Sequence, residues 1–188
     1  MKDTIVGSGS VTVPIENTIF LDIETFSEEN SPKCFDPRYG KIISIAYAID
    51  SEEPECLLCE QPTREKEREI VQKFWKKIRK LNNPVLVGHN LILFDLFWLI
   101  SKSRKYRLKI PNFSVFDTIN LKYKSNGNYF NLNDLADEYG LNIQKNGSGN
   151  EVAGLYKNLL FDSLRAYNIQ DVEVVRKIYF KACDLGGC

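Results

Sequence analysis

Charge of one sign is what this sequence most plainly lacks. Its 25 Lys and Arg offset 25 Asp and Glu, for a formal net charge of +0 and a pI near 6.6. Histone-like and coat proteins hold nucleic acid by bulk positive charge, so that class is excluded, and any nucleic-acid binding must come from a local basic patch. Long apolar runs are missing as well; none approaches the roughly 18 residues of a membrane-spanning helix. The opening MKDTIVGSGSVTVPIE has no apolar core segment, which argues against a secretory signal. There is no internal repeat and no low-complexity linker. The five cysteines (Cys34, Cys56, Cys59, Cys183 and Cys188) are an odd set. That number does not suit a disulfide framework and points to a reducing, cytoplasmic interior. Cys56 and Cys59 form a CxxC that Cys183 and Cys188 could complete into four zinc ligands. Their segment reads as a strand, however, where positions three apart face opposite sides.

What is present is a globular balance of 43% hydrophobic and 27% charged residues over 188 positions, enough for one domain. Thr18–Ile23 (TIFLDI) is a compact β-rich run and predicts a central strand. Thr25–Gly40, with Asn30, Pro32 and Pro37, predicts a loop. Lys41–Ala48 and Glu55–Glu60 predict two more strands, giving an antiparallel meander. From Thr63 to about Leu81, apolar Ile70, Val71, Phe74, Ile78 and Leu81 recur at helical spacing, and Asn82, Asn83 and Pro84 end the helix. Val85–Val87 and Ser114–Phe116 predict short strands, and Leu91–Ile100 a buried helix. Asn131–Tyr139 predicts a short helix stopped by Gly140. A Gly- and Asn-rich loop follows (Gln144–Asn150), then helices near Glu151–Leu160 and Asp162–Cys183. Strands first, then strands and helices in alternation, predict an α/β domain with a mixed sheet.

Three places carry an acid where the local pattern is apolar. Asp22 and Glu24 are two apart near the end of the first strand, so their carboxylates share a face. Like charges that close call for a positive partner, and a divalent cation takes carboxylate oxygens readily. The competing reading is a strand that has already ended, with both acids in water. Asp95 lies within LILFDLFWLI, where no Lys or Arg stands three or four residues away. A carboxylate there is costly to bury unless paired or bound to metal, or else it reaches solvent at the helix edge. Asn90, just before, could cap that helix. On the last helix, Tyr167 and Asp171 interrupt the apolar stripe of Leu164, Val175 and Ile178, and their spacing makes them neighbours, either in a site or as a solvated helix contact. Four acids near the ends of core elements are what a pair of divalent ions acting on a phosphodiester requires.

These residues also resemble a known family. FLDIET (Phe20–Thr25) resembles the DxE motif of the DEDD 3′→5′ exonucleases. GHNLILFD (Gly88–Asp95) resembles their NxxxFD motif, with Asn90, Phe94 and Asp95 in register. YNIQD (Tyr167–Asp171) resembles YxxxD. One branch of the family carries His where Ala166 stands; the other carries Tyr where Tyr167 stands, so the chain resembles the DEDDy branch. DPRYGKIISIAYA is similar to the proofreading domain of family B DNA polymerases, and with no polymerase domain following, the likeness is to a stand-alone exonuclease. The resemblance spans about residues 18–183. It implies a ribonuclease H-like fold, a five-stranded mixed sheet flanked by helices. It further implies that Asp22, Glu24, Asp95 and Asp171 hold two Mg²⁺ or Mn²⁺ ions. Tyr167 would position or help activate the attacking water, and Asn90 would contact the terminal nucleotide. Thr25 and Phe94, within the motifs, join the substrate contacts. Such an enzyme frees nucleoside 5′-monophosphates by positioning and charge stabilisation.

The remaining candidates follow from position. His89, the one histidine, reads as a turn residue or substrate contact rather than a general base, because the family's catalytic His occupies another place. Asp117 follows a strand and reads as a cap for the next helix, or as a group approaching the site. Lys102, Arg104, Lys105, Arg107 and Lys109 cluster without an intervening acid. They read as a phosphate-contacting patch in which Lys105 and Arg107 bind substrate, or as a solvated loop face. Phe26 could stack on the terminal base or serve the core, with Tyr129 and Phe130 further stacking candidates. The expectation is a metal-dependent 3′→5′ exonuclease on the 3′ end of single-stranded nucleic acid, DNA favoured, with a role in DNA repair. The alternatives are an exoribonuclease or a non-catalytic nucleic-acid-binding module.

Overall fold

Apolar residues on both faces of one strand set the architecture. The computed structural model describes residues 17–28, 36–143 and 149–186. In β1 (Thr18–Phe26), Ile19, Leu21 and Ile23 are buried on one side and Phe20 on the other. A strand covered on both faces belongs at the centre of a sheet. β2 (Lys41–Ile49) runs antiparallel to β1, and β3 (Glu55–Leu58) antiparallel to β2. β4 (Val85–Gly88) and β5 (Ser114–Asp117) continue the other side in parallel, giving a five-stranded mixed sheet in the order β3-β2-β1-β4-β5. Parallel neighbours require crossovers, which α1 (Arg64–Ile78) and α2 (Asp95–Tyr106) supply.

The flanking helices divide by face. Phe74, Trp75 and Ile78 of α1 and Trp98 and Leu99 of α2 pack on Ile19, Leu21 and Ile23. After α3 (Leu132–Glu138) and α4 (Gly149–Lys157), the long α5 (Phe161–Asp184) covers the opposite face, setting Val172, Val175 and Tyr179 on Phe20, Ala46 and Val87. α3 docks on α5 through Leu135 and Ala136. α4 docks at the end of β1, with Val152 and Tyr156 against Phe26. None of the described helices is long and apolar enough to cross a membrane.

Several expectations shift. β1 continues to Phe26, so Asp22 and Glu24 stand on a strand and not beyond its end. The helix expected over Leu91–Ile100 begins only at Asp95 and runs on to Tyr106. Asn90 takes the left-handed conformation (φ 58), which Asn tolerates, and turns the chain at Leu91–Phe94. Asn90 therefore does not cap α2; Phe94 occupies the N-cap position with no side-chain cap bond. Lys102 leaves the expected basic patch altogether. It is 1% exposed, with Nζ 2.9 Å from Glu67 Oε1 and donating to the Gly40 carbonyl at 2.5 Å. Cys56 packs toward α5 and Cys59 toward α1, both as free thiols, so the CxxC does not converge. Cys183 is in a disulfide, against the expectation of reduced cysteines. The expected Gln144–Asn150 loop, Cys34 and Cys188 lie outside the described residues, apart from the first turn of α4.

Candidate metal centre

The period of two along β1 puts Asp22 and Glu24 on the face of Phe20, the face that α5 crosses. α5 lays Asp171, 5% exposed, against them. One ligand oxygen from each of Asp22, Glu24 and Asp171 lies within 4.8 Å of the others. At such spacing two unit charges repel by about 3–4 kcal/mol at an effective dielectric near 20. Hard oxygen donors this close, two half-buried and one buried, suit a divalent cation. The donor set thus fits the group that the sequence implied.

Asn168, the residue after Tyr167, holds this cluster in place. Fully buried, it donates from Nδ2 to Asp22 Oδ2 at 2.5 Å, and its Oδ1 accepts from Ser44 Oγ at 2.6 Å. β2 and α5 thereby fix the rotamer of an acid on β1. Sequence reasoning missed Asn168 and Ser44. The available signal was an amide inside YNIQD on the helix face turned toward the sheet.

Tyr167 precedes Asp171 by one helical turn and is buried against Leu164 and Tyr156. Burial pushes its hydroxyl pKa well up, and the negative charges of Asp171, Glu24 and Asp22 push it further; its hydroxyl donates to Asp171. The phenol therefore stays protonated beside the acids. Gly149 at the start of α4 lies near it, since a Cβ there would be 3.9 Å from the hydroxyl oxygen.

Asp95 stands outside that cluster, within electrostatic reach of Asp171. β4 pairs with β1 only as far as Phe20 and ends at Gly88. The later β1 amides on that side have no strand partner, and Asp95 Oδ1 accepts the Ile23 N–H at 2.9 Å. Gly88 permits the crossing: a Cβ there would meet Leu91 at 3.0 Å and the Leu21 carbonyl at 3.1 Å. Burial raises the Asp95 carboxyl pKa to about 8. The N–H groups of Ile23 and of Asp95 itself oppose that rise, while the charges of Asp117 and Asp171 add to it. Asp117 caps the 3₁₀ turn Thr118–Asn120 through Oδ1 and also reaches the motif turn, where Oδ2 accepts Ile92 N–H at 2.9 Å. His89 is a turn residue, with Nδ1 3.1 Å from Thr118 Oγ1 and Nε2 3.1 Å from the Phe130 carbonyl.

The family model RNase_H_2 of the RNase_H superfamily matches residues 19–183. The chain belongs to the RNase_H superfamily. No curated protein sequence matches it. Among solved structures of this fold, the chain is similar to the family B DNA polymerase of the archaeon Pyrobaculum calidifontis. The TM-score is 0.70 and the identity 17%, over 88% of this chain and 24% of the polymerase. It is also similar to Escherichia coli Exonuclease I in complex with a 5cy-dA13 oligonucleotide. There the TM-score is 0.55 and the identity 15%, over 90% of this chain and 40% of that one. The chain thus spans well under half of either neighbour. The ribonuclease H-like fold expected from the motifs is the fold observed, and it is a nuclease-type fold with an acidic cluster at its centre.

The expected substrate contacts fall in different places. Thr25 is half-buried next to Glu24, and Asn90 half-buried in the motif turn. Phe94 packs on Trp98, ring centroids 6.2 Å apart. Phe26 is turned inward, its ring 5.0 Å from that of Tyr156, so it serves the core. Tyr129 is exposed and stands 5.1 Å from the Tyr123 ring. Lys105 and Arg107 lie at the far end of α2 on one cleft, whereas Lys109 lines another, so the sequence-contiguous cations do not form one patch.

Proposed function

We propose that this RNase_H superfamily member is a metal-dependent 3′→5′ exonuclease that removes nucleoside 5′-monophosphates from single-stranded DNA. The observation that carries the reading is the meeting of Asp22, Glu24 and Asp171 oxygens within 4.8 Å, from two elements far apart in sequence. Asp22, Glu24 and Asp171, with Asp95 behind them, would hold two Mg²⁺ or Mn²⁺ ions. Such ions neutralise charge on the scissile phosphate and lower the pKa of an attacking water. The chain's own contribution is positional. Asn168 locks Asp22, and the Ile23 amide locks Asp95. The Tyr167 hydroxyl, kept protonated, orients the water in line with the terminal phosphodiester. Water adds at phosphorus, the bond to the 3′ oxygen breaks, and the proton released by the water ends on that oxygen. Asn90, in the motif turn, and Thr25, next to Glu24, would contact the terminal nucleotide. The names of the two structural neighbours, a DNA polymerase and an exonuclease bound to dA13, support DNA over RNA.

The test incubates 5′-labelled single strands of DNA and RNA with Mn²⁺, using Asp22→Ala as control. A ladder shortening from the 3′ end, with intact protein only and faster on DNA, is expected. RNA shortened preferentially would move the substrate to RNA. Binding with no metal-dependent shortening would leave a binding module in place of an enzyme.

A further inference from the structure

We infer that a basic cleft between α1 and α2 holds the phosphodiester backbone of the substrate strand on the 5′ side of the end being removed. The inference rests on the exonuclease reading and adds a second contact point for the same strand. The cleft is about 600 Å³ and carries Arg64 and Arg68 on one wall and Lys105 and Arg107 on the other. All four are exposed, and none forms an ion pair among the described residues. Of the two acids on the cleft, Glu69 is already bridged by Lys66 at 3.2 Å and Lys73 at 2.8 Å. Four positive charges therefore face Glu65 alone. In a chain whose charges sum to zero, that concentration is local and calls for an anionic partner.

The cations stand on a rigid floor. Arg64 and Lys105 both lie 5.8 Å from the Tyr106 ring centroid. The Tyr106 hydroxyl donates to Glu67, which is buried and paired with Lys102. Three of the four cations are guanidinium groups, whose planar fork matches phosphate oxygens.

The cleft also lies at the right end of the molecule. Lys102, one turn before Tyr106, donates to the carbonyl of Gly40. The next residue, Lys41, pairs with Phe26, two places beyond Glu24 on β1. The cleft and the acids thus share the C-terminal end of β1, on opposite faces of the sheet, with α2 running from Asp95 beside the Ile23 amide to the cleft. Lys105 is ten residues from Asp95 on α2, about 15 Å at the helical rise.

The variant is Arg64→Gln with Arg68→Gln, both exposed and with no intramolecular ion pair to lose. Binding of a single strand of about 15 nucleotides, measured in EDTA without turnover, should lose about 1.4 from the slope of log K against log salt, roughly 0.7 for each phosphate contact. With Mn²⁺, KM on that strand should rise several-fold with kcat unchanged, while a trinucleotide too short to reach the cleft is cut as by wild type. An unchanged salt slope and KM on the long strand would overturn the inference. So would an equal loss on the trinucleotide, or Arg-dependent binding of polyglutamate or phosphatidylserine vesicles with none of DNA. If wild-type protein bound the strand but never cut it, the exonuclease reading would fail, and the salt slope would still decide the cleft.

Discussion

Replacing Lys102 by Met tests whether this cation supports the fold or the substrate. Lys102 and Glu67 are 1% and 0% exposed, with Nζ 2.9 Å from Oε1. Glu67 also accepts the Ile42 N–H at 2.9 Å and the Tyr106 hydroxyl, so it ties α1, α2 and the start of β2 together. Methionine keeps the volume and removes the charge, leaving a carboxylate buried with two neutral donors. Breaking a buried pair in this way costs about 3–5 kcal/mol. Exposed pairs are worth only about 0–1 kcal/mol. At roughly 2–4 °C per kcal/mol for a chain of this size, Tm should fall by about 6–20 °C. Urea unfolding followed by far-UV circular dichroism measures the loss, and Glu67→Gln added to Lys102→Met should restore part of it by removing the stranded charge. A loss below about 1 kcal/mol, or no recovery in the double variant, would refute the reasoning. Weakened DNA binding at unchanged Tm would return Lys102 to the basic patch that its sequence neighbours suggested.

Asn168→Ala should loosen Asp22 and lower Mn²⁺ affinity about 10–100-fold, read by calorimetry; unchanged affinity would show that the 2.5 Å tether is idle. Tyr167→Phe keeps the packing and removes the hydroxyl, so kcat should drop about 10²-fold or more with KM little changed. Glu55 tests the pH logic away from the metal centre. The Lys77 ammonium, with help from the Tyr47 hydroxyl and against a small burial cost, holds the Glu55 carboxyl below its ordinary 4.5. A depressed carboxyl stabilises the fold above the unfolded value and loses that stabilisation as pH falls through its folded value. Both partners are nearly half exposed, so Glu55→Gln should lower stability at pH 7 by no more than about 1 kcal/mol. Melting curves of variant and wild type should converge as pH falls through the depressed folded value of Glu55. A gap that did not narrow at all as the pH was lowered would assign the loss to packing.

The sequence by itself determined the elements and the acids, because periodicity is a local property. The compact β-rich run TIFLDI marks a central strand, and a spacing of two sets Asp22 and Glu24 on one face once that strand runs on to Phe26. The helical stripe through Leu164, Tyr167, Asp171 and Val175 turns Tyr167 and Asp171 to the side that packs on β1. The motif resemblance added the ribonuclease H-like form of that α/β fold. Tertiary structure alone decided what depends on distance between remote residues. Lys102 sits among cations in sequence, yet it is paired with a glutamate 35 positions away across two helices. Asn168 is an ordinary helix amide until β1 and β2 bring Asp22 and Ser44 to it. The start of α2 moved to Asp95 because the Ile92 and Ile23 amides are drawn to carboxylates on other elements, and no local propensity records that. Arg64 and Arg68 meet Lys105 and Arg107 only once α1 and α2 have packed.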